Sequence, residues 1–377
     1  MWERPRVGNH QVWELSIPPN GTNKVELTMA SATPEEMAKV KEINAPVPEA
    51  DMTILSPRNL QVFQRRGMYD GYVVVSGRVK PACEKVEARV TGTSLKGALG
   101  GEWQSVPMSP KVQSFSAMLA TVPGGWYKVE VRATKGGAVL ASASVERVGV
   151  GEVFVGAGQS NSTNCGQFPT QQTSGMVSSF SGHDWRIADD PQPGAHDQTT
   201  GGSFWPGFGD AMYAKYKVPI GVAVTGHGGT SVNQWLPDGE LFAWMMGRIW
   251  QLGPMGFRAV LWHQGETDTG MSADEYAEKL TTVIRATSAA AGWDVSWVVA
   301  QVSYHSPEEP SHPTTREAQK RLWDTGVAVE GPDTDLLVGD NRDMEGKGIH
   351  FSIKGCKAHG EAWEKSVSVW LDKLLGE

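Results

Sequence analysis

The sequence predicts an α/β protein in which an antiparallel β-sandwich precedes a doubly wound parallel sheet. Two observations support this. Between about Asp51 and Arg147, apolar and charged residues alternate with a period of two, as at 85–90, which indicates half-buried strands. After Gly149, short apolar runs alternate with amphipathic segments. That alternation is typical of a parallel sheet with helices on both faces.

The length and net charge of the chain indicate how many domains it has and which kinds of partner it does not bind. The chain has 377 residues, of which 40% are hydrophobic and 20% charged, enough for two globular domains. Its net charge of −8 argues against a nucleic-acid or anionic-membrane surface. No apolar run approaches the roughly 18 residues of a membrane-spanning helix. The first residues lack the apolar core of a signal peptide, which leaves a cytoplasmic protein, or a secreted or periplasmic one whose leader has been removed.

Three sections are predicted. Residues 1–50 form an N-terminal extension with one short helix, because Thr33 begins a capping box and prolines follow Ile43. Residues 51–148 form about seven short strands separated by glycine turns, which favours an immunoglobulin or fibronectin type of sandwich acting as a spacer, a lid or a carbohydrate contact. Residues 149–377 form the α/β domain.

Within the α/β domain, five strands alternate with helices. A doubly wound sheet of flavodoxin-like architecture fits this alternation. The polar stretch 161–204 shows little periodicity and is predicted as a long loop at the rim of a site. The predicted strands are 153–155, 218–224, 257–262, 295–302 and 326–329, and the predicted helices are 206–216, 273–291, 314–325 and 353–375.

Ser160 stands at the end of the first of these strands. The strand runs into a turn of small residues, 156–158, which is followed by the polar residues of 159–161. Reactive side chains collect at the carboxyl ends of the strands in open α/β sheets. A serine there becomes a nucleophile only with a nearby base; otherwise it could simply cap a helix.

Four sequence blocks carry a resemblance to a known family. The run GQSN at 158–161 resembles the nucleophile block of the SGNH (GDSL-like) hydrolases, in the branch of the sialate O-acetylesterases and acetylxylan esterases. WHQGETD at 262–268 resembles the third block, GIHFS at 348–352 the last, and GHGGTS at 226–231, more weakly, the second. The blocks keep the family order, and the resemblance implies a flavodoxin-like fold and a serine esterase.

The resemblance also implies catalytic roles. Ser160 would be the nucleophile and His350 the base that takes its proton. The oxyanion would be held by the backbone N–H groups of Ser160 and Gly229, with Gly228 as the near alternative, and by the side-chain amide of Gln264. As simple turn residues, the two glycines would have no such role.

The last block departs from the family pattern. SGNH hydrolases commonly have an aspartate three residues before the histidine, where this chain has Lys347. Lysine cannot accept the imidazole N–H. Of the replacements, Glu266 is favoured as a structural or orienting carboxylate. The other candidates are Asp343, Glu345, Asp268 or a backbone carbonyl, the last leaving a Ser-His dyad.

The predicted substrate is an acetylated carbohydrate. The resemblance suggests O-acetylated sialic acid, xylan or a related glycan, cleaved through an acetyl-serine intermediate. The chain has 15 tryptophans, and aromatic faces stack on sugar rings.

No cofactor or metal site is expected, and the oligomeric state is open. The alternatives are a non-catalytic carbohydrate-binding relative and a general short-chain esterase. The predicted substrate contacts are Gln159, Asn161, His227, His263 and Trp235.

The three cysteines are too few for a disulfide framework. Cys165 lies shortly after Ser160, and Cys356 shortly after His350. If the serine and the histidine meet, these two cysteines become neighbours, as either a disulfide or two free thiols.

Overall fold

The computed structural model describes residues 2–3, 13–14 and 50–376. In the first of two units, strand β1 (Trp2–Glu3) pairs in antiparallel fashion with β2 (Trp13–Glu14). The helix predicted after Thr33 lies outside the described residues. The second unit begins at Ala50.

The amino-terminal part of the second unit is built from two mainly antiparallel sheets. Valines of both sheets, among them Val75 and Val129, share one buried core. The predicted sandwich domain and its immunoglobulin or fibronectin type stay predictions. The strands are β3 (Met52–Ser56), β4 (Gln61–Gln64), β5 (Tyr72–Val79), β6 (Lys85–Thr91), β7 (Thr93–Ser94), β8 (Gly97–Ala98), β9 (Gln104–Val106), β10 (Met108–Ser109), β11 (Ser114–Ala120) and β12 (Gly124–Lys135).

A single long strand, β13 (Ala138–Gly158), runs from these sheets into the α/β region. Its first half pairs antiparallel with β12, and its last residues pair in parallel with two later strands. The predicted boundary at 148/149 therefore falls inside a strand. Buried Glu152 adds a link, because it forms ion pairs with Arg65 at 2.7 Å and Arg258 at 2.8 Å.

The parallel sheet confirms a mixed α/β protein with a large sheet. Five of its strands lie in the order β16–β13–β17–β18–β19. When these five are counted along the chain, this is the order 2-1-3-4-5 of flavodoxin-like sheets. Beyond β16 lie β14 and antiparallel β15, so the prediction of a continuous loop at 161–204 is wrong there; these strands are too short to show periodicity. The strands are β14 (Val177–Phe180), β15 (Trp185–Ile187), β16 (Ile220–Val224), β17 (Ala259–His263), β18 (Trp297–Gln301) and β19 (Val329–Asp333).

Helices cover both faces of this sheet. Val153 and Val155 of β13 share a core with helices α2, α3 and α4, whereas Phe154 shares one with α1 and α5. The helices are α1 (Trp205–Tyr216), α2 (Glu240–Leu252), which the sequence reading missed, α3 (Ala273–Ala291), α4 (Pro313–Asp324) and α5 (Ile353–Leu375). Within the described residues, none of them combines the length and apolar character needed to span a bilayer.

Candidate active site

Ser160 lies directly beyond the carboxyl end of the central strand β13. Gly158 makes this turn possible: its φ is +128°, and a Cβ there would lie 2.1 Å from the carbonyl oxygen of His263. The close approach lets the N–H of Gln159 donate to the same carbonyl at 2.9 Å. Ser160 then begins a short 3₁₀ helix, Ser160–Ser162, and is buried. The nucleophile predicted from sequence is thus held where the strand order reverses.

The glycine block after β16 lies against Ser160. The N–H of His227 donates to the carbonyl of Gly158 at 3.0 Å, and a Cβ on Gly228 would lie 3.5 Å from that of Ser160. The N–H of Gly228 already donates to Asp197 at 2.7 Å. Gly229 is exposed with φ +69°, and no hydrogen bond within the described residues uses its N–H. Of the two glycines, Gly229 has the available donor.

Two buried glutamine amides connect the strand ends. The amide nitrogen of Gln264 is 2.7 Å from a carboxylate oxygen of Asp268 and 3.1 Å from the carbonyl of Thr230. The side-chain oxygen of Gln159 accepts from the N–H of Thr267 at 3.2 Å. Because both side chains are buried and hydrogen-bonded to neighbouring loops, their role in the structure is to hold these loops together. The oxyanion role of Gln264 and the substrate contact of Gln159 stay predictions.

His350 belongs to a loop that closes on itself. The N–H of Asp343 donates to the carbonyl of His350 at 3.0 Å, and the N–H of Gly348 donates to the carbonyl of Asp343 at 3.0 Å. This closure places Oδ2 of Asp343 3.9 Å from Nδ1 of His350. A Cβ on Gly348 would lie 1.7 Å from Oδ1 of Asp343, so glycine is needed there. Asp343 therefore lies beside the imidazole, whereas Lys347 is exposed.

The surroundings of His350 suit a base. Burial lowers the pKa of His350 below its ordinary value, and the nearby carboxylate of Asp343 partly offsets this. The imidazole is therefore neutral at neutral pH and has a nitrogen lone pair that can accept a proton.

The peptide that precedes His350 is held from two sides. The carbonyl of Ile349 accepts from the side-chain amide of Asn161 at 3.2 Å and from the guanidinium of Arg342 at 2.8 Å. Arg342 is 2% exposed, with its guanidinium against the rings of Tyr304 and Phe351. Asn161 follows Ser160 directly, so the structure brings the serine turn and the histidine loop together. Arg342 was missed because a buried arginine looks like a surface arginine in a sequence.

Comparison with known proteins identifies the family. Residues 150–368 match the model of the carbohydrate esterase family described as sialic acid-specific acetylesterase. The chain belongs to this family. It is a carboxylic ester hydrolase, and the predicted resemblance to the sialate O-acetylesterases is confirmed. No curated protein matches the chain significantly.

Solved structures are similar to this esterase to different degrees, and the first of them shares its fold. A carbohydrate acetylesterase from Xanthomonas citri has 19% identity and a TM-score of 0.56, over 86% of this chain and 76% of that one. A protein from Arabidopsis thaliana has 16% identity and a TM-score of 0.48, over 59% and 98%. A lipolytic protein of the G-D-S-L family from Veillonella parvula has 11% identity and a TM-score of 0.33, over 58% and 98%.

Glu266 of the esterase is completely buried. Its Oε1 accepts from the side-chain amide of Asn161 at 3.0 Å and lies 3.8 Å from Nδ1 of His263. Burial raises the pKa of Glu266 to about 7 and lowers that of His263 to about 3. Glu266 thus supports Asn161, and Asp343 is the carboxylate that lies 3.9 Å from Nδ1 of His350. A catalytic role for Glu266 stays a prediction.

Two of the predicted sugar contacts are core residues. The ring of Trp235 is fully buried, edge-on to Trp262 at 5.2 Å, and His263 is fully buried as well. Neither ring has an open face for a sugar, so the structure does not support their predicted role. The sequence shows which tryptophans and histidines lie near the motif loops, but it does not show which of them the helices will bury.

A different group of side chains surrounds His227. Its Nδ1 lies 2.6 Å from Nδ1 of His196, so one of the two nitrogens carries a proton and donates. The ring of His196 packs edge-on against Trp244, which is 41% exposed. His196 lies in the polar stretch predicted to form the rim. Trp244 was missed together with helix α2.

The three cysteines are free in the structure. Of the two possibilities for Cys165 and Cys356, the structure shows free thiols. Burial raises the pKa of both thiols, to about 12 for Cys356, so neither is an activated nucleophile.

Proposed function

We propose that the protein is a serine esterase that removes O-acetyl groups from a carbohydrate, with Ser160 as nucleophile, His350 as base and Asp343 as the orienting carboxylate. Family membership supports deacetylation of carbohydrates. The observation that carries the residue assignment is the link between the two loops: Asn161, next to Ser160, donates to the carbonyl next to His350.

The mechanism follows from these positions. His350 accepts the Ser160 hydroxyl proton as Oγ bonds to the acetyl carbonyl carbon. The N–H groups of Ser160 and Gly229 donate to the resulting oxyanion. When the tetrahedral intermediate collapses, the ester C–O bond breaks, and His350 gives the proton to the departing sugar oxygen, which leaves as a hydroxyl. Water then releases acetate from the acetyl-serine by the same steps.

Asp343 would orient the imidazole during these steps. The 3.9 Å separation from Nδ1 of His350 exceeds a hydrogen bond in the free enzyme. Catalytic hydrogen bonds are often long without substrate and shorten when charge develops. The positive charge on His350 after proton uptake attracts the carboxylate, which favours this shortening.

The substrate class is an acetylated glycan such as sialic acid, xylan or a related carbohydrate. The exposed face of Trp244 beside His196 and His227 is suited to stacking on a sugar ring. The acyl pocket takes acetyl in preference to longer chains. The two sheets of residues 52–148 act as a rigid sandwich, since β13 continues from them into the catalytic sheet.

Acetate release from 4-nitrophenyl acetate, acetylated sialic acid and acetylated xylan tests this proposal. We expect Ser160→Ala to lower kcat/KM at least about 10³-fold. The control Ser142→Ala removes an exposed serine from the same strand and should leave activity unchanged.

Two other outcomes would replace the proposal. If the native protein binds glycan but releases no acetate, it is a binding relative. If it hydrolyses butyryl or octanoyl esters faster than acetyl esters, it is a general esterase.

A further inference from the structure

Three potential metal ligands meet in the loop between β18 and α4. They are His305, Glu309 and His312, and one ligand atom from each lies within 4.8 Å of the others. Nδ1 of His305 is 3.6 Å from a carboxylate oxygen of Glu309, and the two histidine rings are 5.5 Å apart. This cluster takes no part in the proposed hydrolysis.

The ring nitrogens of the two histidines are arranged as in a metal site. Nε2 of His305 is 2.6 Å from the carbonyl oxygen of Glu266, so this nitrogen carries the hydrogen and Nδ1 keeps its lone pair. Metal-binding histidines typically donate their second N–H to such a carbonyl. Within the described part of the chain, Nε2 of His312 is buried without a hydrogen-bond partner. That nitrogen is one of the two on His312 that can bind a cation.

The backbone already holds the three residues in place. The N–H groups of His305 and Ser306 donate to the carbonyl of Glu309 at 3.1 and 3.3 Å. The N–H of His312 donates to the hydroxyl of Ser303 at 2.7 Å. Because the loop is ordered by these bonds, a cation would order few further groups on binding.

We propose that His305, Glu309 and His312 bind one divalent transition-metal ion, for which zinc is the best match. Two imidazoles and one carboxylate are a common zinc ligand set, whereas calcium and magnesium prefer oxygen ligands alone. Tetrahedral zinc ligands lie about 3.4 Å apart. The pair at 3.6 Å already has nearly this spacing, and the widest pair, within 4.8 Å, closes by side-chain rotation.

Such an ion would fasten the loop to the Gln-Gly-Glu block of the active site. His305 makes this connection through the carbonyl of Glu266. No metal site was predicted from the sequence, because the three ligand residues within the eight positions 305–312 were not recognised as a group.

Zinc titration of the full chain by calorimetry, after removal of metal with a chelator, tests the proposal. We expect one zinc ion per chain, with affinity lowered at least about tenfold by Glu309→Gln and by His312→Ala. Glu309 is exposed and His312 is partly exposed, and thermal unfolding would verify that each variant is folded.

Matched controls separate this site from adventitious binding. Glu308→Gln changes the exposed carboxylate next in the chain, outside the cluster, and His183→Ala removes an exposed histidine paired with Asp184. Neither should alter zinc affinity, and Ser160→Ala should bind zinc like the native chain. Zinc binding that survives both cluster variants, no binding at all, or equal binding of magnesium would overturn the proposal.

Discussion

The turn that carries Ser160 and the loop that carries His350 are built in different ways. Ser160 follows a central strand, and backbone hydrogen bonds tie its turn to the strand ends of β16 and β17. The His350 loop is irregular, with positive φ angles at Met344 and Glu345. Its shape depends on single side chains, above all Arg342, which donates to three backbone carbonyls.

We infer from this difference that the histidine block can depart from the pattern that it resembles more easily than the serine turn can. A residue at a strand end is positioned by the register of the whole sheet, so its neighbours must stay small. A loop held by a few side chains can reach the same geometry in another way. Here the carboxylate beside the imidazole belongs to Asp343, seven residues before His350. Gly348 leaves room for this carboxylate.

Asp343→Asn is the strongest test of the loop. We expect kcat/KM to fall about 10²- to 10⁴-fold, because the amide no longer stabilises the charged imidazole. The carboxylate raises the pKa of His350, so its removal lowers that pKa further. The acidic limb of the kcat/KM profile should therefore move to lower pH while the plateau falls.

Lys347→Ala is the control for this substitution, because Lys347 occupies the usual aspartate position and is exposed. It should leave both the plateau and the limb nearly unchanged. Unchanged activity of Asp343→Asn would mean that the loop supplies no orienting carboxylate.

Two glycine substitutions contrast the regions directly. Gly158→Ala places a Cβ 2.1 Å from the carbonyl of His263 at a positive φ, so we expect the free energy of unfolding to fall by about 3 kcal/mol. Gly348→Ala displaces the Asp343 carboxylate instead, and should lower activity about tenfold or more with a smaller loss of stability. Urea unfolding and acetate release measure the two effects.

Gly270→Ala is the matched control for both, because a Cβ there meets no atom within 4 Å. In the double variant of Gly348→Ala with Asp343→Asn, the second change should add little. Additive losses would show that Gly348 acts through something other than Asp343.

Glu266→Gln tests the buried support behind Asn161 and has the smallest expected effect. The pKa of Glu266 is raised to about 7 in the folded state from an ordinary 4.5, so the folded state holds the proton more tightly. Its contribution to stability therefore falls as pH rises from about 4.5 to 7, by on the order of 3 kcal/mol, and is constant above.

The variant should lose this slope in urea unfolding between pH 5 and pH 8 while keeping most of its activity. Glu308→Gln, which changes an exposed carboxylate, should keep the native slope. A loss of activity as large as that of Ser160→Ala would instead make Glu266 the catalytic carboxylate.

Five strands and four of the five helices of the α/β region follow from the sequence, as do the segments that carry Ser160 and His350, whereas β14 and β15 do not. These features depend on local patterns: apolar runs, the Ser272 cap, which accepts from the N–H of Glu275, and the small residues of the turn. Helix α2 was missed although several of its residues are buried.

Tertiary structure alone decided which groups meet across the loops. Asp343 reaches His350 through a closed loop that no fixed spacing predicts, and Arg342 is buried because rings from distant segments enclose it. The same holds for Trp235, which helices cover, and for Trp244, which they leave exposed. Burial depends on contacts between residues far apart in the chain, and periodicity describes only near neighbours.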